Sequence, residues 1–114
     1  MLTFNKETPI YLRTGATDMR KSINGLSAIV QNDMNLDPFK KGYFVFCNKT
    51  KHLMKLLYWD KTGFALWYKR LEKNKFPWPA DEEDVQKITE QQMQWLLDGI
   101  DFFNAHKKLQ FSCV

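Results

Sequence analysis

Apolar residues recur at Met19, Ile23, Leu26, Val30 and Met34, in steps of four, three, four and four. That spacing predicts a helix of about four turns, N-capped by Thr17 or Asp18, with Arg20, Lys21, Asn24, Gln31 and Asp33 mostly on its other faces. Before it, Ile10-Tyr11-Leu12-Arg13 is a short β-type run stopped by Gly15. From Gly42 onwards the pattern turns to β. Tyr43–Cys47 leads into the polar loop Asn48-Lys49-Thr50-Lys51, and Leu53–Trp59 leads into the turn Asp60-Lys61-Thr62-Gly63. Gly63 is able to take positive φ there, before a third strand over Phe64–Arg70. Rings on both faces blur the alternation, so periodicity does not say which face the helix covers. Val85–Ile88 is a candidate edge strand. Thr89-Glu90-Gln91-Gln92 fits a capping box that opens a short helix with Met93, Leu96, Leu97 and Ile100 as its stripe, ending around Gly99.

These elements predict an α+β domain: an antiparallel β-meander sheet, one long helix packed on a face, and a short C-terminal helix. The chain of 114 residues is one domain's worth. Its sharpest change of character is Phe76-Pro77-Trp78-Pro79-Ala80, because two prolines so close together fit neither a helix interior nor a central strand. They separate a body over residues 1–80 from a segment over residues 81–114, expected to belong to the same domain. With 44% hydrophobic, 15% aromatic and 26% charged residues, the chain has the composition of a packed globular domain rather than a disordered one.

The net charge of +4 conceals an asymmetry. Residues 1–80 carry 14 Lys and Arg against 6 Asp and Glu, a net +8; residues 81–114 carry 3 against 7, a net −4. A basic body suits a polyanionic or acidic partner, and two halves that neutralise each other on folding are the plainer alternative. No stretch reaches the roughly 20 apolar residues needed to span a bilayer, and the first residues do not have the pattern of a secretory signal. Cys47 and Cys113 have no metal-ligand spacing and are expected to be reduced thiols of an intracellular protein.

The catalytic inventory is thin. His52 and His106 stand alone in polar, Lys-rich surroundings, and there is no CxxC, no paired-His motif and no Gly-rich phosphate loop. Asp18, Asp37 and Asp60 could gather around a metal, but each sits where Asp commonly serves a helix start, a turn or a pre-proline position. No metal and no cofactor are expected. Nucleic-acid binding has more support. Lys49, Lys51, His52 and Lys55 cluster on and after the first hairpin loop, and Lys69-Arg70 closes the third strand, followed by Lys73 and Lys75. A meander returns Lys69 and Arg70 to the end that carries Lys49 and Lys51, which predicts one basic rim. Lys and Arg there would contact phosphates, and Trp67 or Tyr68 could stack on exposed bases. Solvated loop lysines and core rings are the competing explanation. In Thr17-Asp18-Met19-Arg20-Lys21-Ser22, a cation in a first helical turn opposes the helix dipole, so Arg20 is expected to have a partner: Asp18 within the chain or an external phosphate.

The ordered blocks Thr17–Ser22, Gly25-Leu26, Asp37-Pro38-Phe39, Phe44-Val45-Phe46, Lys55–Asp60, Gly63-Phe64, Trp67–Glu72 and Phe76-Pro77-Trp78-Pro79 together resemble the small TnpB, or Orf2-like, accessory protein of bacterial insertion-sequence-66-type elements. The resemblance covers about residues 9–100. It implies a protein encoded beside a separate, larger transposase that performs the cutting and joining, and it carries over no catalytic residues. Asp18, Arg20, Lys55, Trp59, Lys69 and Arg70 match the family, without settled roles. Asn48-Lys49-Thr50-Lys51-His52 stands where the family usually has an arginine-rich loop, which weakens the case for bidentate phosphate or guanine contacts. Asn74 replaces a usual Gly and can also adopt a left-handed conformation. The expected function is a non-enzymatic, cytoplasmic accessory factor of bacterial transposition. It would bind DNA through Arg20, Lys21, Lys49, Lys51, Lys55, Trp67, Lys69 and Arg70, and would also contact the transposase, without a membrane. An adaptor of the transposase that never touches nucleic acid, with Trp59 or Trp67 as interface anchors, is the alternative.

Overall fold

The computed structural model describes residues 3–80 and 83–101. His106 and Cys113 therefore lie outside the described residues. In chain order the elements are β1 (Ile10–Arg13), α1 (Ile23–Asn32), β2 (Tyr43–Cys47), β3 (Leu53–Asp60), β4 (Gly63–Arg70), β5 (Val85–Ile88) and α2 (Glu90–Leu97). Among the described residues the strands form one five-stranded sheet in the order β4-β3-β2-β1-β5.

The meander is present: β2 pairs antiparallel with β3, and β3 with β4. The sheet as a whole is mixed, which corrects the purely antiparallel expectation, because β1 runs parallel to β2 with Ile10 opposite Tyr43. The helix between them explains this. A chain that leaves β1 and crosses a face through α1 re-enters the sheet at the end where β1 began, so β2 must run in the same direction. Beyond β1, β5 is an antiparallel edge strand, with Ile10 opposite Ile88.

The first helix begins later than its apolar spacing implies. Ser22, not Thr17 or Asp18, is the N-cap residue, with extended backbone, and α1 runs for 10 residues. Residues 17–22 are instead bonded to the sheet. The Thr17 amide donates to the Cys47 carbonyl at 2.8 Å, and the Lys55 ammonium occupies the Met19 and Lys21 carbonyls, which a helix would have turned towards amides further along. At its other end α1 closes through Asn35 at φ 55°, with the Leu36 amide returning to the Val30 carbonyl. Thr89 caps α2 through the full capping box, its hydroxyl accepting from the Gln92 amide while the Gln92 side chain accepts from the Thr89 amide.

Two apolar layers enclose the sheet. On one face Leu26, Ile29 and Val30 of α1, with Met34, cover Phe44, Phe46 and Leu57. On the other, Met93 and Leu96 of α2 join Phe4, Ile10, Leu12, Val45, Met54, Leu56, Phe76, Trp78 and Ile88. The period of two along each strand explains the division, since Phe44 and Phe46 face α1 while Val45 and Cys47 face α2. Desolvation of Cys47 pushes its thiol up to about 12, against smaller opposing effects of the Asn48 amide and the Lys51 charge, so it stays protonated and inert.

The Phe76-Pro77-Trp78-Pro79 stretch is drawn inward. The Trp78 indole N–H donates to the Arg13 carbonyl at 3.1 Å and the Gly15 carbonyl at 2.9 Å, and the Gly15 amide donates to the Pro79 carbonyl. Gly15, at φ 72°, makes the turn out of β1 that allows this. Gly63, by contrast, opens β4 without positive φ; Lys61 takes that conformation at φ 52°, and Asn74 does so at φ 66°. Replacing Trp78 by Phe keeps most of the ring but leaves two part-buried carbonyls without their donor. The expected cost is about 1–3 kcal/mol in urea denaturation monitored by far-UV circular dichroism.

Candidate nucleic-acid interface

Antiparallel pairing brings the two ends of the β3–β4 hairpin sequence back together. Leu53 lies opposite Arg70 and Met54 opposite Lys69, so the end of β4 adjoins the loop that carries Lys49 and Lys51. Two backbone bonds continue the junction past the strands, from the Leu71 amide to the His52 carbonyl at 2.8 Å and from the Phe76 amide to the Lys51 carbonyl at 2.7 Å. The loop after β1 reaches the same end through the Thr17–Cys47 bond. Residues 14–22, 48–52 and 69–75 therefore meet there, with eight cations against two carboxylates, Asp18 and Glu72.

The Asn48–His52 loop is held by its own side chains. Asn48 Oδ1 accepts from the His52 and Leu53 amides, both at 3.0 Å, and Asn48 Nδ2 donates to Thr50 Oγ1 at 3.0 Å. His52 Nδ1 lies against Thr50 Oγ1, and Lys51 takes φ 63°. Lys49 and Lys51 are exposed on this rigid turn, and among the described residues neither they nor Lys69 make an ion pair. A loop whose shape is already set loses little backbone freedom when its lysines meet a polyanion.

Arg20 finds its partner within the chain. Asp18 Oδ1 accepts from the Arg20 amide at 2.9 Å, and the guanidinium donates to both carboxylate oxygens, closest at 2.7 Å. The Arg20 side chain is nonetheless 91% exposed, so Asp18 orients it without covering it. Hydrogen bonding from Arg20 holds the Asp18 carboxyl well below the usual carboxylate range and raises the Arg20 guanidinium. Between this turn and the hairpin loop lies an open groove of about 570 Å³, lined by Thr17, Asp18, Arg20, Asn48, Lys49 and Thr50 among others.

The remaining candidates divide by role. Lys55 points its ammonium back at the Met19 and Lys21 carbonyls, at 2.7 and 2.9 Å, and so shapes the rim from beneath. Lys21 is exposed beside it. Arg70 pairs with Glu72 at 2.9 Å, which raises its guanidinium, but stays exposed. The register places Arg70 on the face of α1 and Lys69 on the face of α2, so the end of β4 presents positive charge to both sides. Trp67 packs half-buried against the α2-side core, whereas Tyr68 is 50% exposed and lies opposite Lys55. Among the described residues no group of three His, Cys, Asp or Glu side chains could hold a metal, and no helix is long and apolar enough to cross a membrane. Asp18, Asp37 and Asp60 do not gather.

The chain belongs to the family of IS66 Orf2-like proteins, whose model matches residues 8–107; these are accessory proteins associated with transposition. Two relatives from Sinorhizobium fredii (strain NBRC 101917 / NGR234) are similar over nearly their whole length. "Uncharacterized protein y4hO" is 34% identical over 102 residues, covering 90% of this chain and 89% of the relative. "Uncharacterized protein y4jC" is 30% identical over 99 residues, covering 87% and 85%. No solved structure matches the chain.

Removing the Lys55 ammonium by Lys55→Met deprives two carbonyls of a charged donor. The expected loss is about 1.5–3 kcal/mol in urea denaturation, with faster amide exchange at Met19–Lys21. The Asp18–Arg20 pair predicts a local acid response. The folded Asp18 carboxyl titrates below the ordinary carboxyl range of the unfolded chain, so the pair's contribution is complete above about pH 4 and drains away as pH falls further. Amide exchange of the Asp18–Arg20 turn should therefore accelerate below about pH 4 ahead of the β2–β3 ladder.

Proposed function

We propose that this protein is a non-enzymatic accessory factor of transposition that contacts element DNA through its basic end and meets the separate transposase through another surface. The observation that carries this reading is the register of β3 with β4, which sets Lys69 and Arg70 beside the loop of Lys49 and Lys51. Arg20, oriented by Asp18 across the groove, adds a further cation on the same end. Lys49, Lys51 and Lys69 act as point charges on phosphate. Lys55 enters as the residue that positions the Met19–Lys21 turn. Its family associates with transposition, which supplies DNA and a transposase as the partners in reach.

One observation favours the adaptor reading. Phe39, 55% exposed, leans on Trp59 and Phe64 at the opposite end of the sheet, with ring centroids 5.3 and 5.2 Å away. Rings gathered at a surface are typical anchors of protein interfaces.

If Arg20, Lys49, Lys51, Lys69 and Arg70 each neutralise one phosphate, log affinity for duplex DNA should fall with log salt at a slope of about −4.5. Fluorescence anisotropy at several salt concentrations measures it. Each of Lys49→Ala, Lys51→Ala and Lys69→Ala should reduce the slope by about 0.9. Absence of binding to duplex and single-stranded DNA at low salt would leave the adaptor reading, and nuclease-resistant co-purification with the transposase then tests that.

A further inference from the structure

The two edges of the sheet are guarded very differently. The β5 edge is four residues long and carries Lys87, features that discourage strand addition. The β4 edge is eight residues long, and its first six, Gly63-Phe64-Ala65-Leu66-Trp67-Tyr68, include no charge and no proline. Among the described residues β4 pairs only with β3, so its other side presents a row of unpaired amides and carbonyls.

We propose that this edge pairs antiparallel with β4 of a second copy of the chain, with Leu66 opposite its own symmetry mate. A two-fold axis perpendicular to the sheet reverses strand direction and keeps each face on its own side, so facing residues must have the same parity. Centring on Leu66 satisfies that condition. It sets Phe64 opposite Tyr68 of the other copy, and Ala65 opposite Trp67. Trp59 and Phe64 already face each other across β3 and β4, edge to face with centroids 5.0 Å apart. Tyr68 of the second copy would continue that row, covering a ring that is half exposed in the single chain.

Charge selects the same arrangement. Lys69 and Arg70 stand at one end of β4 only, so antiparallel pairing sends the two cationic ends in opposite directions. Six residues of extended strand separate the two copies of Lys69 by about 20 Å, more than twice the screening length of about 8 Å at physiological salt. Parallel pairing would set like charges side by side. The dimer leaves both basic ends open, and its existence does not depend on whether they bind DNA.

Sedimentation velocity on the full chain, from micromolar to submillimolar concentration, should show a monomer–dimer equilibrium. Tyr68→Lys is counted twice by the symmetry and should weaken association about tenfold, with the far-UV circular dichroism of the monomer unchanged. Register is tested by disulfide trapping in a Cys113→Ser background, where the buried Cys47 thiol stays unreactive. Leu66→Cys should form a reducible covalent dimer, because facing Cα atoms about 4.5–5.5 Å apart lie within disulfide range. Tyr68→Cys, which would face Phe64, should not. A monomer at every concentration, a dimer indifferent to Tyr68→Lys, or equal cross-linking at both positions would each overturn the proposal.

Discussion

Lys55 leaves β3 on the face covered by α1 and delivers its ammonium to the Met19 and Lys21 carbonyls, so the loop ahead of the helix is bonded to the middle of the meander. Much of the basic end follows from that tether. It keeps residues 17–22 out of the helix and leaves the Asp18 carboxylate free to form a turn around the Arg20 amide. It also holds the Arg20 guanidinium beside the Asn48–Thr50 loop rather than along a helix axis. A lysine in this position is more useful to the fold as a multiple donor than as a surface charge, because the part-buried Met19 carbonyl would be costly to leave without a donor.

The same economy recurs around the rim. Asn48 closes the hairpin loop with three side-chain hydrogen bonds at 3.0 Å, and Trp78 fastens the segment after β4 to the turn after β1. Three loops from distant parts of the chain are thus fixed relative to one another before any partner arrives. The cations they carry fall into two kinds. Arg20 and Arg70 each have a carboxylate two residues away, whereas Lys49, Lys51 and Lys69 have none among the described residues. Exposed pairs of the first kind contribute little to stability and mainly set direction, while the second kind leaves net positive charge to the surroundings.

The opposite end of the sheet is apolar where this one is charged. Phe39, Trp59 and Phe64 cluster there, and the uncharged part of β4 runs from them towards the lysines. Ring surface and cationic surface are thus separated along one strand.

Local pattern was enough for the elements whose signals are local. The meander strands follow from alternating apolar runs between polar turns, the Thr89–Gln92 box from its residue types, and Asn74 in a left-handed turn from its short polar side chain. Antiparallel return through two short turns likewise sets Lys69 and Arg70 beside Lys49 and Lys51. Tertiary structure alone decided the parallel pairing of β1 with β2, because it depends on where the chain lands after crossing a face. It alone stopped α1 at Ser22, since an apolar spacing that suits a longer helix cannot register an ammonium arriving from a strand more than thirty residues away. It alone set Trp67 against the core while exposing Tyr68, because rings on both faces of a strand look alike until something packs on one of them.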